Sequence, residues 1–244
     1  MINIVIPMAG EGIRFVNAGY KKPKPFIDVA GKAMIERVIE NLQCLDARFI
    51  LIGRKEHLKR EYEFVNYLKK RFDAIFLEID NKTEGTACTV LYARKYINNN
   101  EPLLIANSDQ IVDIKIQSFI DDFKLRELDG SILTFSDLEQ NPKWSFAKID
   151  NKGLVIEVQE KKVISEFATV GIYLFKSGKD FVNYSLDMIV RNIRVNNEFY
   201  TCPVYNHAIE DFKKIGIYNI LQSEMNGIGT PEDLNLYLKK LNNV

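Results

Sequence analysis

The chain has 244 residues, 46% of them hydrophobic, which is enough to bury the core of one α/β domain or two small ones, and we expect one. Its 33 basic and 33 acidic side chains balance, so the charge gives no reason to expect nucleic acid or an anionic membrane as a partner. The three cysteines lie far apart without a CxxC pattern, which argues against a disulfide framework or a zinc site. The sequence shows no signal-peptide pattern and no run of about 18 apolar residues, so we expect a cytoplasmic protein.

The first half of the chain alternates predicted strands and helices. Apolar runs predict strands over 2–6, 48–53, 74–79 and 102–107. Helical spacing predicts helices over 34–42 and 55–71, and a third that opens at Gly85 and Thr86. Because the strands are apolar nearly throughout and alternate with helices, this half predicts a parallel sheet covered on both faces.

The second half changes pattern, because four strand-like runs follow one another between turn residues. They cover 130–135, 144–149, 153–159 and 167–175, and we expect them to be antiparallel and joined to the first sheet. Helices are predicted over 177–194 and 203–212, a strand over 215–220 and a capped helix after Thr230. No repeat or linker divides the chain, so residues 1–244 are expected to form a single domain.

A glycine-rich loop, "AGEGIR", follows the first strand. Gly10 and Gly12 let the backbone turn sharply and bring its N–H groups close to a ligand. Such nests of amides suit a polyphosphate, and Arg14 adds forked donors that match phosphate oxygens. Taken alone, the pattern also fits an ordinary tight turn.

A lysine between two prolines strengthens the case for phosphate. Pro23 and Pro25 restrict φ on both sides of Lys24, so this lysine is carried on stiff backbone. Rigidity is useful where an ammonium group must meet a reacting phosphate, although a basic surface turn would have the same sequence. Together, the loop and Lys24 favour a phosphate site.

The order and spacing of these motifs resemble the signature of the nucleotidyltransferase (nucleoside-diphosphate-sugar pyrophosphorylase) family. That signature runs from a G-x-G-x-R loop through P-K-P to a G-K-P-M-I turn, which correspond here to residues 10–14, 23–25 and 31–35. Ile13 stands where the family often has Thr or Ser, so one hydroxyl donor to phosphate is missing. The resemblance extends over most of the chain and implies a Rossmann-like (GT-A-like) α/β fold with a mixed, mainly parallel sheet flanked by helices.

The resemblance implies a nucleotide-binding part at about residues 1–130 and an acceptor-binding part at about 131–244. Gly85 and Thr86, in "TEGTA", match the segment that contacts the base, although they also fit a plain helix start. The expected nucleotide contacts are Ala9, Gly10, Glu11, Gly12, Arg14, Lys24, Gly85, Thr86 and Ser108.

Asp109 follows a predicted strand, at the edge where open α/β sheets bind ligands. A carboxylate there can hold Mg²⁺ or Mn²⁺ against phosphate oxygens, and the resemblance implies the same role. The family often places a second aspartate ahead of G-T-P-E-D-L, but Gly227 occupies that position. Asn226 or water is then left to complete the metal shell.

The acceptor side is expected in the second half of the chain. Residues 157–162, "EVQEKK", resemble the family's E-K-P segment, with Lys162 in place of proline. If Lys162 faces the site rather than solvent, its charge favours an acceptor with its own carboxylate. The expected acceptor contacts, each of which also fits an ordinary strand or surface position, are Glu160, Lys161, Gly171, Glu198 and Tyr200.

These assignments imply a reaction in which an acceptor phosphate attacks the α-phosphorus of a nucleoside triphosphate and pyrophosphate leaves. The expected catalytic residues are Arg14 on the leaving phosphates, Lys24 on the α-phosphate and Asp109 on the metal. A glycosyltransferase that uses a nucleotide sugar remains open but leaves Lys24 unexplained. A catalytically silent nucleotide-binding regulator also remains open, and pyrophosphate release separates the three.

Within the family, the short chain and the "PMAG" and "NEFY…PVYN" segments resemble small bacterial members connected with surface polysaccharide. These include cytidylyltransferases that activate L-glutamine phosphate for capsule phosphoramidate. This subgroup favours CTP over UTP or dTTP, with L-glutamine phosphate or a sugar 1-phosphate as the acceptor. Dimers are common in the family, so a homodimer is compatible with the resemblance.

Overall fold

A computed structural model describes residues 1–242 of the chain. Its strands are β1 (Ile2–Pro7), β2 (Asp28–Val29), β3 (Lys32–Ala33), β4 (Ala47–Arg54), β5 (Ile75–Ile79), β6 (Leu103–Ala106), β7 (Gln110–Val112), β8 (Gly130–Ser136), β9 (Phe146–Ile149), β10 (Val155–Gln159), β11 (Phe167–Phe175), β12 (Ile215–Ile220) and β13 (Met225–Gly227). Its α-helices are α1 (Ile13–Asn17), α2 (Met34–Asn41), α3 (Lys55–Arg60), α4 (Tyr62–Phe72), α5 (Thr86–Leu91), α6 (Arg94–Ile97), α7 (Ile116–Leu125), α8 (Gly178–Val190), α9 (Val204–Glu210) and α10 (Pro231–Asn242). Two 3₁₀ turns cover Lys24–Phe26 and Gln222–Glu224.

The central sheet has nine strands. The strands β6, β1, β4 and β5 lie side by side and are all parallel, as the alternation in the first half predicts. The long strand β11 joins the other edge of β6 in the antiparallel direction, and β8 and then β12 follow it. The strands β9 and β10 form an antiparallel extension from one end of β11. The second half therefore continues the first sheet, so the predicted mixed, mainly parallel α/β fold is confirmed.

Both faces of the sheet are buried against helices. Because consecutive residues of a strand point to opposite faces, neighbouring residues pack into different core clusters. In β1, Ile4 packs into the core cluster that includes α2 and α7, while Val5 packs into the cluster that includes α5, α8 and α9. Both side chains are fully buried. Helices on both faces explain why the parallel strands are apolar without alternation.

The structure departs from the predicted elements mainly where short pieces form, although the ten-residue helix α7 was also not predicted. The predicted helix over 55–71 breaks at Glu61, and the helix opening at Thr86 divides into α5 and α6. The helix predicted to 194 ends at Val190, close to Asn192, whose φ of 54° leaves the helical region. Two small strand pairs, β2 with β3 and β7 with β13, were not predicted. Within residues 1–242, no helix combines the length and the apolarity needed to span a membrane.

Candidate active site

The glycine-rich loop leaves β1 and ends at Gly12, the N-cap of α1, which has a φ of 63°. A Cβ on Gly12 would lie 2.9 Å from the Cβ of Lys24, so the lack of a side chain lets the lysine pack against the loop. Gly10 has no atom within 4 Å of its Cβ position and is exposed. Packing within the protein therefore requires glycine at position 12, whereas no protein atom occupies the space beside Gly10.

Lys24 opens the 3₁₀ turn between Pro23 and Pro25, with Pro25 and Phe26 buried beneath it. The N–H group of Phe26 donates a hydrogen bond to the Pro23 carbonyl over 2.8 Å. The Lys24 ammonium forms an ion pair with Asp109, and the two side chains are 19% and 21% exposed. The restricted backbone thus places the Lys24 ammonium beside Asp109, the metal-binding candidate of the sequence analysis.

Asp109 lies between β6 and β7, and the segment from β13 to Gly229 closes over it. The Ile228 N–H donates to the Asp109 carbonyl over 2.9 Å. A Cβ on Gly229 would lie 2.6 Å from Asp109 Oδ2 and 3.5 Å from Lys24 Nζ. The ion pair therefore fits only because position 229 carries no side chain.

Two cavities meet at this ion pair. The large cavity, of about 690 Å³, lies between the ion pair and α10 and is lined by residues that include Arg14, Lys24, Gly227, Gly229 and Lys240. The small cavity, of about 240 Å³, is lined by residues that include Thr86, Ser145, Glu160, Gly171, Tyr200 and Cys202. Both cavities are lined by Asp109, Gln110, Lys143 and Trp144. The three expected catalytic residues thus border one cavity, and Asp109 also borders the second.

Besides Asp109, the small cavity is lined by the carboxyl group of Glu160. The Glu160 carboxylate accepts a hydrogen bond from the Ser145 hydroxyl. Burial raises the pKa of Glu160, and the Ser145 hydrogen bond and the nearby Lys161 charge partly oppose that rise. Burial also raises the pKa of the neighbouring Cys202 thiol well above its ordinary value, so this cysteine contributes a neutral wall to the cavity.

The other expected acceptor residues are divided by the structure. Gly171 and Tyr200 line the small cavity. The Tyr200 hydroxyl accepts a hydrogen bond from Lys161 Nζ over 2.7 Å. Lys161 itself does not line the small cavity and contacts it through Tyr200. Glu198 also lies outside the lining and pairs with Lys82 at 3.5 Å.

Lys162 does not supply the extra positive charge that the sequence analysis considered. Its side chain is exposed, and it is not among the residues that line either cavity. Lys143 lines both cavities instead, and its Nζ lies 4.5 Å from the centroid of the Trp144 ring. The cation beside the small cavity thus comes from the loop before β9.

The segments expected to bind the base and the acceptor pack directly against each other. A Cβ on Gly85 would lie 2.3 Å from the Phe199 carbonyl oxygen, and Gly85 has a φ of 130°. Thr86 Oγ1 accepts hydrogen bonds from the N–H and the hydroxyl of Thr201, both at 3.1 Å. The packing against Phe199 is sufficient to require glycine at position 85. The contact of Gly85 with a base stays a prediction.

The remaining expected nucleotide residues lie on the loops after β1 and β6, beside the ion pair. They are Ala9, Gly10, Glu11, Gly12 and Ser108, and none of them lines either cavity. Glu11 lies 3.9 Å from Arg54, and Ala9 is buried. Their binding roles stay predictions.

The sequence analysis missed Ser145, Lys143 and Trp144. Trp144 and Ser145 fall at the start of the strand predicted over 144–149, and Lys143 directly precedes it, but only the pairing of β9 with β11 brings that end of the strand to the sheet edge near Asp109. Gln110 was missed because it follows Asp109 in what was expected to be a loop.

The residues around Asp109 fit a divalent metal that arrives with a nucleotide. Asp109 offers one carboxylate, and residues 1–242 contain no cluster of three or more His, Cys, Asp or Glu that could hold a metal unaided. Asn226 Oδ1, considered above as a replacement donor, accepts a hydrogen bond from Lys240 Nζ over 2.8 Å. Mg²⁺ commonly binds through one or two carboxylates together with substrate phosphates, which is the arrangement that this donor set allows.

A model of the nucleotidyl transferase family matches residues 4–219, and the chain belongs to that family. The bifunctional protein GlmU of Methanococcus aeolicus is 29% identical over 180 residues, which cover 72% of this chain and 40% of that protein. The chain spans about half the length of the curated relatives it matches.

Solved structures share the fold over nearly the whole chain. A nucleoside-diphosphate-sugar pyrophosphorylase from Vibrio cholerae RC9 superposes with a TM-score of 0.80 at 24% identity, covering 97% of this chain and 99% of that one. The inositol-1-phosphate CTP transferase from T. maritima gives a TM-score of 0.77 at 15% identity, covering 98% and 94%. At these identities the likeness establishes the fold.

Proposed function

We propose that this chain transfers a nucleoside monophosphate from a nucleoside triphosphate to a small phosphorylated acceptor and releases pyrophosphate. The observation that carries the proposal is the Lys24–Asp109 ion pair, which lies beside the glycine-rich loop and at the junction of the two cavities. This arrangement supports a reaction in which a cation on stiff backbone and a carboxylate at a strand end act on a triphosphate and an acceptor that enters from the small cavity.

In the proposed step, an acceptor phosphate oxygen forms a bond to the α-phosphorus, and the bond from that phosphorus to the pyrophosphate oxygen breaks. Lys24 stabilises the charge that develops on the α-phosphate, while Arg14 and the loop amides hold the leaving pyrophosphate. An acceptor phosphate is already ionised near neutral pH, so the step needs no general base.

Asp109 would hold the divalent metal that enzymes of this family generally use, and we expect Mg²⁺ or Mn²⁺ in this role. When bound, such an ion neutralises phosphate charge and orients the leaving group. The proposed division into a nucleotide-binding part over about 1–130 and an acceptor-binding part over about 131–244 is not strict in the packing. Thr86, Asn107, Asp109 and Gln110, from the first part, line the small cavity, and residues of both parts line the large cavity.

The charges of the small cavity support an acceptor with groups of both signs. Glu160 offers an oxygen to an ammonium or a hydroxyl, and Lys143 offers a cation to a carboxylate. L-Glutamine phosphate carries both charged groups, whereas a sugar 1-phosphate would use Glu160 through its hydroxyls. We favour CTP as the donor, in line with the subgroup resemblance, and precursors of bacterial capsule or surface polysaccharide as products made in the cytoplasm.

The test is pyrophosphate release by the purified chain with a panel of CTP, UTP, dTTP, ATP and GTP. Each triphosphate is combined with glucose 1-phosphate, N-acetylglucosamine 1-phosphate or L-glutamine phosphate. We expect release that requires both a triphosphate and an acceptor, fastest with CTP and L-glutamine phosphate. No release with any pair would reject the proposal, and hydrolysis or transfer of a nucleotide sugar would point to a glycosyltransferase.

A further inference from the structure

Gln110 is a buried polar side chain without a partner at the junction of the two cavities. It opens β7 directly after Asp109 and is 9% exposed. Its Oε1 is a buried side-chain atom that makes no hydrogen bond in the part of the chain that the structure describes. The other side chains in residues 1–242 with such an atom border neither cavity, so only Gln110 combines the two properties.

The position of Gln110 relates it to the missing aspartate. In the antiparallel pair of β7 and β13, Gln110 lies opposite Gly227. A Cβ on Gly227 would have one atom within 4 Å, Gln110 Oε1 at 3.6 Å. The amide oxygen therefore lies where a side chain from position 227 would project, beside the cavity that Asp109 and Lys24 also line.

We propose that Gln110 Oε1 is the second protein oxygen offered to the divalent metal, and that it acts from β7 in place of a carboxylate at position 227. The inference rests on the proposed function, because the triphosphate brings the metal to Asp109. Amide and carboxylate oxygens are both hard donors that suit Mg²⁺ and Mn²⁺. A neutral donor in place of an anion leaves the empty protein with one carboxylate, so the metal binds tightly only together with the nucleotide.

The first experiment converts the amide into a carboxylate and measures Mn²⁺ binding to the nucleotide-free chain by electron paramagnetic resonance. Gln110→Glu would place two carboxylates at the site, and we expect Mn²⁺ to bind about tenfold more tightly or better than to the wild type. Gln222→Glu is the matched control, since Gln222 lines the same large cavity but is exposed. The gain should vanish when Asp109→Asn is added.

Gly227→Asp provides a second variant with the same readout, because its carboxylate would lie beside Gln110 Oε1. It should also bind Mn²⁺ about tenfold more tightly, on the same reasoning about ligand charge. The inference is overturned if folded Gln110→Glu binds Mn²⁺ no better than Gln222→Glu, or if the gain persists without the Asp109 carboxylate.

The wild-type amide is tested by its removal. Gln110→Leu should weaken Mn²⁺ binding in the presence of each triphosphate that the wild type binds, by about tenfold, while Gln222→Leu should not. An unchanged Mn²⁺ affinity in Gln110→Leu would contradict the role. Failure of the proposed function is a different result, because it would be seen as no pyrophosphate release from the wild type whatever the variants bind.

Discussion

Replacement of Lys24 by methionine tests the proposed transfer most directly, because it removes the charge while keeping most of the side chain. One preorganised charge at a transition state contributes about 3 to 4 kcal/mol, so we expect kcat to fall by about 10²- to 10³-fold. If Lys24 acts only in the transition state, kcat and kcat/KM fall together and KM for the triphosphate is little changed.

The structure also sets the expected change in stability. Lys24 and Asp109 keep 19% and 21% of their side-chain surface exposed, so water screens their ion pair and the loss on mutation is about 1 kcal/mol. Such a change leaves the protein folded at assay temperature, and the drop in kcat then reports on chemistry.

The assay is steady-state pyrophosphate release with the best substrate pair of the panel, accompanied by thermal unfolding and circular dichroism of each variant. Lys22→Met is the matched control, because Lys22 is an exposed lysine on the same loop. We expect it to retain wild-type kcat within about twofold, as for surface substitutions away from the site. Near-normal kcat in a folded Lys24→Met variant would refute the reasoning, and so would an equal loss in Lys22→Met.

Three further predictions follow from the same geometry. In chemical denaturation, Gly12→Ala should lower the free energy of unfolding by about 1 to 2 kcal/mol, because residue 12 has a φ of 63° and its Cβ would lie 2.9 Å from the Cβ of Lys24. Gly10→Ala is the control: no atom lies within 4 Å of its Cβ position, so the free energy of unfolding should change by less than about 0.5 kcal/mol. Pyrophosphate release should stop in EDTA, return with Mg²⁺ or Mn²⁺, and fall in Asp109→Asn by about a hundredfold or more at saturating metal, and full activity in EDTA would contradict this. Because burial raises the pKa of Glu160 above its ordinary value of 4.5, the native state binds this proton more tightly than the unfolded chain, so stability should decline as pH rises from that value through the raised pKa. Denaturation at a series of pH values should show this decline reduced in Glu160→Gln, and identical pH profiles would be inconsistent with the burial of that carboxyl.

The strands of the central sheet and the phosphate-loop residues were predictable because their signals are local. A run such as Ile2 to Ile6 buries apolar surface whichever neighbours it has, so its strand could be read directly. Gly12, Lys24 and Asp109 each follow from a short motif, and the motifs also allowed the family to be recognised before the contacts among these residues were known.

The contacts that define the site depend on the order of strands in the sheet, which no local pattern encodes. Because β1 and β6 are neighbours and β13 returns to pair with β7, Lys24 meets Asp109 and Gly227 meets Gln110. The shift of the cation from Lys162 to Lys143 has the same origin, since the pairing of β9 with β11 decides which loop borders the cavity. The amino-acid sequence by itself determined the long strands, most of the long helices and which charged residues are available, through burial and backbone restriction within a few residues. The tertiary structure alone decided which of those residues face one another, because contacts between residues 85 or more positions apart depend on how the whole chain packs.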